Sequence, residues 1–446
     1  MTLSEEVTAP VGASAHAPLG QRDVLRTWWP LAASWVLMGL EMPLVSAAIA
    51  RLPDARVSLA VLGGIVFPLA LLIESPVIML LSASTALARD RASLRFLNRV
   101  MLVLGGGFTA LHALVAFTPL YDLIAGGLLG VPPEVREPGR LGLRLMTPWT
   151  FAIAYRRTQQ GVLIRHGRSR AVGLGTIARL VGNLTVLGIG LAIGTVRGSI
   201  IGPLALATSV VAESITVGLF VRPAVRDLPA HAPGPPLTRA GFARFYLPLA
   251  LTPLFVFLTL PVASAAMSRM PIALGSLAAS PAVNGLAMTF RSVGFAFNEV
   301  VVALLDRPGA AVALRAFARR LAIVTSGLLL VVAASPLGAG WLSVVSALPS
   351  DLVPLGAVAL LLLVPMPALA VYQSWFQGTL VHAHRTRGVT EAMGLLLLVM
   401  AIVLAAGIVW QGAPGLRVAA AAMSLGNATL VAWLAIKARP VMRARV

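Results

Sequence analysis

Uninterrupted apolar runs of about 20 residues recur along the whole chain, and nothing else constrains it as strongly. As a helix, a run of that length matches the hydrocarbon thickness of a bilayer. Of the 446 residues 58% are hydrophobic and 11% charged, whereas a soluble domain carries about 25% charged residues. The chain therefore reads as an all-α polytopic membrane protein. A transmembrane β-barrel is excluded, because its strands would be short and alternating. There is no cysteine, which removes disulfides, thiol catalysis and Cys-based zinc sites. The six histidines lack a metal-ligand spacing, so no metal and no cofactor is expected. No Walker motif and no catalytic constellation is present; the chain reads as no enzyme, and any transport would run on an ion gradient or downhill.

Twelve spans fall near 27–50, 57–86, 98–120, 142–164, 171–195 and 198–221, then 243–268, 276–305, 317–340, 352–380, 388–410 and 415–437. This divides the chain into a cytoplasmic tail (1–26), a six-helix bundle (27–221), a linker (222–242), a second six-helix bundle (243–437) and a short tail (438–446). The linker is rich in proline and unfit for a helix. The tail, with Glu5, Glu6 and Asp23, lacks the basic start of a signal peptide. Twelve spans return the chain to its starting side. Of the 35 basic residues, 23 fall in loops on that side and eight on the other, which places both termini in the cytoplasm of an inner (plasma) membrane. The net charge of +19 is thereby assigned to lipid headgroups and topology rather than to nucleic acid.

The two halves repeat. Residues 26–60 align without a gap on 244–278, pairing Pro30 with Pro248, Pro43 with Pro261, Arg51 with Arg269 and Pro53 with Pro271. At nearly the same offset, the stretch from Pro148 lies over that from Pro365, sharing Tyr155/Tyr372, Gln160/Gln377, Gly161/Gly378, Leu163/Leu380, Arg168/Arg385 and Arg170/Arg387. A duplication of six spans gives both halves the same topology about an axis along the membrane normal. Two such bundles enclose a cavity that rocking exposes to either side, so the architecture implies a transporter rather than a scaffold.

These features resemble the MOP exporter superfamily, which includes the MATE multidrug exporters and polysaccharide flippases. The shared traits are the 6+6 duplication, the proline-kinked first and seventh spans and the Tyr…Gln-Gly-x-Leu…Arg-x-Arg ends of the fourth and tenth. Within it, Trp28–Ala32 (WWPLA), Tyr246–Leu251 (YLPLAL), the stretch at Gly161–His166 and Asn298-Glu299-Val300 are similar to the progressive ankylosis (ANK) family. The resemblance implies a V-shaped, MATE-like pair of bundles. The ANK likeness implies export of citrate-, pyrophosphate- or nucleotide-like anions; the MATE likeness implies extrusion of cationic drugs against protons or sodium.

A charge in mid-span costs about 2.5–3.5 kcal/mol and needs a reason. Eight stand inside the spans: Glu41, Glu74, Glu213, Glu299, Arg156, Arg157, Arg179 and Arg291. Glu74 and Arg291 occupy equivalent places in the repeat and are expected to face each other across the axis, as a pair that substrate or a proton opens, or as a fixed bridge. Glu41, between Gly39 and Pro43, sits where a proline frees a backbone carbonyl and kinks the helix; it is the second ion-coupling or gating candidate. Arg156, Arg157, Arg179 and Arg291, with Asn183, Tyr155 and Gln160, are expected to line a basic cavity whose fork-shaped donors suit carboxylate or phosphate. Glu213 and Glu299 lie near the cytoplasmic boundary and are expected to pair with loop arginines. Trp28, Trp29 and Trp149 fit an interfacial belt, Trp375 a packed interior, and His112, His166, His382 and His384 loops or span ends. Gly105-Gly106-Gly107 reads as a close helix contact.

The leading reading is therefore an exporter of small organic or phosphate-bearing anions working by alternating access. Its partners would be the anion, a proton or sodium ion, and membrane lipids. The alternatives are a MATE-like proton- or sodium-coupled antiporter for cations and a flippase for a lipid-linked precursor.

Overall fold

The computed structural model describes residues 19–230, 237–383, 385 and 387–443; His384, Arg445, Glu5 and Glu6 lie outside them. The described residues are helical apart from short connections, and no strand occurs among them. In the first half the helices are α1 (Gln21–Gly39), α2 (Glu41–Ile49), α3 (Ala55–Val61), α4 (Phe67–Ile78), α5 (Leu80–Leu87), α6 (Arg91–Phe117), α7 (Leu120–Asp122), α8 (Pro133–Leu145), α9 (Thr147–Arg165), α10 (Ser169–Ile193) and α11 (Gly198–Arg226). The second half carries α12 (Arg239–Met267), α13 (Ala273–Phe295), α14 (Phe297–Leu304), α15 (Ala310–Ala334), α16 (Pro336–Gly340), α17 (Val353–Leu363), α18 (Met366–His382), α19 (Arg387–Trp410) and α20 (Gly415–Arg443). Among the described residues, eleven helices or stacked helix pairs are long and apolar enough to cross a bilayer.

The expected twelfth, at 142–164, is α9. It is too polar to count by composition, yet its 19 residues extend about 28 Å. The reason is its position. Helices α5, α6 and α11 sheathe it, so Arg156, Thr158, Gln159 and Gln160 are buried in protein rather than lipid. The linker is also shorter than expected, because α11 continues through Pro223 to Arg226 and α12 starts at Arg239.

The duplication reaches down to single backbone angles. Asp54 and Ile272 both take left-handed conformations (φ 56° and 57°) before the second span of each half; Gly130 and Ala347 do so at 63° and 48°, and Gly194 and Gln411 at 68° and 53°. A π-helical turn stands at Leu123–Leu128 in the first half and at Trp341–Val345 in the second. Both follow a break at Thr118-Pro119 or Ser335-Pro336, where proline starts a new helix.

The core falls into two clusters that do not coincide with the halves. One cluster fills the first half and the ends of the second far from the termini, including Val45, Leu59, Tyr121, Leu277, Leu342 and Leu404. The other joins α1 to the opposite ends of the second half, through Val24, Trp28, Phe297, Phe317 and Leu434. The starts of α1 and the ends of α20 thus share one side, the terminal side. There α1 leans on α13, α14 and α15, and in mirror fashion α12 leans on α4, with the Tyr246 hydroxyl donating to the Pro76 carbonyl.

On the far side two arginines clasp the halves together. Arg51 donates to the carbonyls of Val344 and Val345 at 2.6 and 2.9 Å. Arg269 donates to those of Gly127, Leu128 and Leu129 at 2.8–3.0 Å. Each arginine also bonds its own helix, at Ala47 or Ala265. Each therefore seizes the carbonyl end of the other half's π-turn, where the widened helix leaves acceptors free. Close contacts of Gly63 with Pro281 and of Gly64 with Leu277, together with a hydrogen bond from Ser264 to the Gly64 carbonyl, complete the seal.

Candidate functional site

The first span breaks at Leu40, between α1 and α2. Pro43 supplies no N–H, so the helix cannot continue through this point unperturbed. Gly39 lies against Ser292 and the Pro43 ring against Gly285, both on α13. The break puts Glu41 in the first turn of α2, where the helix dipole favours a negative charge.

Glu41 then meets α10. Arg179 binds it through two nitrogens, Nε at 2.9 Å and a shorter Nη2 contact, and Asn183 approaches at 3.4 Å. Arg179 and Asn183, one turn apart, share the face expected for them. Arg179 also comes within 3.9 Å of Glu213 on α11. Glu213 in turn holds Arg156 on α9 and accepts from Gln160 at 2.9 Å. The result is a chain of four alternating charges, Glu41–Arg179–Glu213–Arg156, running from a half-buried end to a sealed one. The Arg179 and Glu41 side chains are 22% and 14% exposed, those of Arg156 and Glu213 4% and 2%.

Three expectations fail here. Glu213 does not pair with a loop arginine; α11 turns it inward, against Gly175 of α10. Glu299 pairs with nothing among the described residues and is exposed. The pair Glu74–Arg291 does not form. Glu74 accepts a hydrogen bond from the Trp149 indole of α9, inside its own half, with Arg156, Arg157 and Arg179 as the positive charges that bear on it. Equivalent residues of a duplication share a depth, but they meet only if both face the axis, and Glu74 faces α9. Trp149 is accordingly buried rather than in an interfacial belt.

Arg291 has no ion pair or hydrogen bond among the described residues; its guanidinium lies over Phe295 at 5.4 Å, and that ring meets Trp35 of α1. Arg157 is likewise unpaired. Tyr155 packs its ring over Gly218 on α11, where any larger residue would collide with it. His112 is not at a span end but buried in α6, between Thr150 and the Leu143 carbonyl. Trp28 is buried against Phe317, Trp29 is exposed and Trp375 buried. Of the three consecutive glycines, Gly105 makes the close contact, with Ala154; Gly106 and Gly107 face open space.

The site in the first half thus gathers Glu41, Glu74 and Glu213 with Arg156, Arg157 and Arg179. Three carboxylates meet three guanidiniums, and the formal sum is zero. Two of the four arginines expected to line a basic cavity, Arg156 and Arg179, are thus held by carboxylates, because an unpaired charge inside the membrane is costly and a partner lies within reach. No group of three or more metal-binding side chains occurs among the described residues.

No family model matches the chain, and no curated protein does. Solved structures match over nearly its whole length. One is a multidrug resistance MATE transporter of the MOP superfamily in its inward-facing conformation, 15% identical, aligned over 93% of this chain and 98% of that one with a TM-score of 0.72. A MOP superfamily transporter from Pyrococcus furiosus, described by the reverse polarity of its binding pocket, is 14% identical over 98% and 99% of the chains, with a TM-score of 0.65. The lipid II flippase MurJ in an inward closed conformation is 13% identical over 92% and 87%, with a TM-score of 0.64. The fold is therefore the MATE-type one. Likeness to the ANK family rests on its short sequence motifs alone.

Proposed function

We propose that the chain is a proton-coupled secondary transporter of the inner membrane, termini in the cytoplasm, with the Glu41–Arg179–Glu213–Arg156 chain as its coupling site. The observation that carries this is the balance of charge at Glu41. With Glu41 ionised, Arg179 is neutralised and the site is neutral overall. Protonating Glu41 removes Arg179's main partner and leaves a net positive charge beside the helix break, which repels a bound cation. Substrate and proton then exclude each other, the requirement for antiport, and the substrate class is a cationic or amphipathic compound. The Glu41–Arg179 end is the partly exposed one, within reach of solvent. Glu213 and Arg156 hold Arg179 in place rather than exchanging with solvent.

A second reading has its own support. Arg157 and Arg291 are unpaired among the described residues, and an anion such as citrate or pyrophosphate would satisfy their fork-shaped donors. Proteoliposome flux separates the two. In the antiport reading, a proton gradient drives a cationic dye, Arg291→Ala leaves this intact and Glu41→Gln abolishes it. Labelled citrate or pyrophosphate counterflow that is lost in Arg291→Ala would overturn antiport in favour of anion export.

A further inference from the structure

A second cavity lies outside the charged site, on the terminal side of the second half. It occupies about 990 Å³ between α15, α18 and α20. Arg315 and Arg319 project into it from α15 and Arg439 from α20, and Tyr372, Trp375 and Phe376 form its floor on α18. Trp375 and Phe376 stack at 4.9 Å, and Phe376 and Tyr372 at 6.2 Å. None of the three arginines has an ion pair or hydrogen bond among the described residues. Three guanidiniums that no carboxylate among the described residues pairs are a strong demand for an anion.

Position limits what the anion can be. The face of α15 bearing Phe317 and Leu321 packs into the core. The opposite face carries Val312, Arg315 and Arg319, and continues away from the terminal side as Ile323 and Leu330, 65% and 48% exposed. On a membrane-crossing helix such a stripe faces acyl chains. The cavity therefore opens at the end of a lipid-facing stripe, at headgroup level. Of the cavity's arginines and aromatic floor the first half keeps only Arg222, at the place of Arg439, and Tyr155, at that of Tyr372. The places of Arg315, Arg319, Trp375 and Phe376 are taken there by Asn98, Leu102, Thr158 and Gln159, and Arg91 ties α6 to the Arg226, Leu228 and Pro229 carbonyls across the corresponding mouth.

We infer that this cavity is a binding site for an acidic phospholipid of the terminal-side leaflet. Its phosphate is held by Arg315, Arg319 and Arg439, its glycerol and upper chain rest on the Tyr372–Trp375–Phe376 floor, and its acyl chains follow the exposed stripe of α15. Guanidinium forks match phosphate oxygens, basic pockets between spans at this level take acidic headgroups, and the aromatic floor excludes water from the contact.

Quenching of tryptophan fluorescence by lipids with brominated acyl chains tests this in the purified full-length protein. Brominated phosphatidylglycerol is expected to quench more strongly, and at about tenfold lower mole fraction, than brominated phosphatidylcholine. The excess should vanish in Trp375→Phe, and in Arg315→Gln/Arg319→Gln, which keeps the side-chain bulk. Unbrominated phosphatidylglycerol should reverse the quenching, while millimolar inorganic phosphate should not. Equal quenching by the two lipids, or an excess that survives either variant, would overturn the inference. Reversal by inorganic phosphate would overturn the lipid in favour of a free phosphate-bearing solute.

Discussion

The two halves share a backbone plan and have opposite interiors, and the first span is broken at Leu40 where its counterpart α12 runs through. Where the first half places Glu41, Arg156, Arg179, Asn183 and Glu213, the second places Thr259, Gln373, Leu396, Met400 and Leu430. The second half keeps one deep charge, Arg291, at the place of Glu74, and it pairs with nothing described. Yet three pairs of left-handed residues, the π-turns at Leu123–Leu128 and Trp341–Val345, and the far-side arginines are repeated in register. Geometry has been preserved in both copies because both must close against each other. Charge is concentrated in one; under the antiport proposed above, a single ion-coupled site is enough to bias a two-state movement, and every further buried charge costs stability.

Transplanting the second half's chemistry into the first is the most severe way to break this contrast. Glu213→Leu alone leaves Arg156 buried without a partner and should cost about 3–5 kcal/mol, read as a large drop in melting temperature. Adding Arg156→Gln, so that the site copies Leu430 and Gln373, should restore most of it. The remaining deficit would be about 1 kcal/mol, from the hydrogen bond that Gln160 gives to Glu213. The double variant should still fail in proton-driven flux. If single and double variants melt alike, the pair is not what anchors this interior.

The arginine clasps, by contrast, should be equivalent, since they are the part both halves share. Hydrogen bonds from a charged donor contribute about 1.5–3 kcal/mol, so Arg51→Gln or Arg269→Gln should each shift the balance between far-side sealed and open forms about tenfold or more. The chain has no cysteine, so Thr259→Cys, beside a cavity of about 50 Å³ between the halves, can report opening without background. Labelling from the far side by an impermeant thiol reagent should accelerate about tenfold in either arginine variant. Acceleration in only one would mean that a single clasp holds the seal and that the reciprocity is geometric alone.

Spans and duplication are legible in the sequence because apolar length and repeat register are one-dimensional quantities. Arg179 and Asn183 were also legible as neighbours, because four residues on a helix return to the same face. Glu213 was not, since its depth near a boundary says how far it lies from water but not toward which helix it turns. Trp149 was assigned to an interface for the same reason, and its role as donor to Glu74 depends on α9 being sheathed on all sides. One signal in the sequence does point to this pairing. Glu41, Glu74 and Glu213 balance Arg156, Arg157 and Arg179 within the first half alone, and charge balance inside a membrane points to internal pairing. The swapped packing of α1 and α12 left no trace in composition or periodicity.

The smallest test asks whether register alone preserves the shared backbone. Gly130 and Ala347 both follow a π-turn in the left-handed region, and each lets the next residue close the turn: Val131 donates to the Ala125 carbonyl at 3.0 Å, and Leu348 to the Leu342 carbonyl at 2.8 Å. A Cβ in that conformation costs about 1–2 kcal/mol, and the greater entropy of glycine in the unfolded chain offsets about 0.5–1 kcal/mol of any relief. Ala347→Gly should therefore stabilise by only about 0.5–1 kcal/mol, as the difference of those two terms. Gly130→Ala should cost more than the reverse change gains. Its new Cβ would stand 3.1 Å from the Arg269 guanidinium, pressing on the clasp as well as on the turn. Thermal melting gives the first quantity, and far-side labelling at Thr259→Cys gives the second. Faster labelling in Gly130→Ala with none in Ala347→Gly would locate the difference between the halves in the arginine that each turn must accommodate, whereas equal and opposite shifts in melting would reduce it to backbone strain.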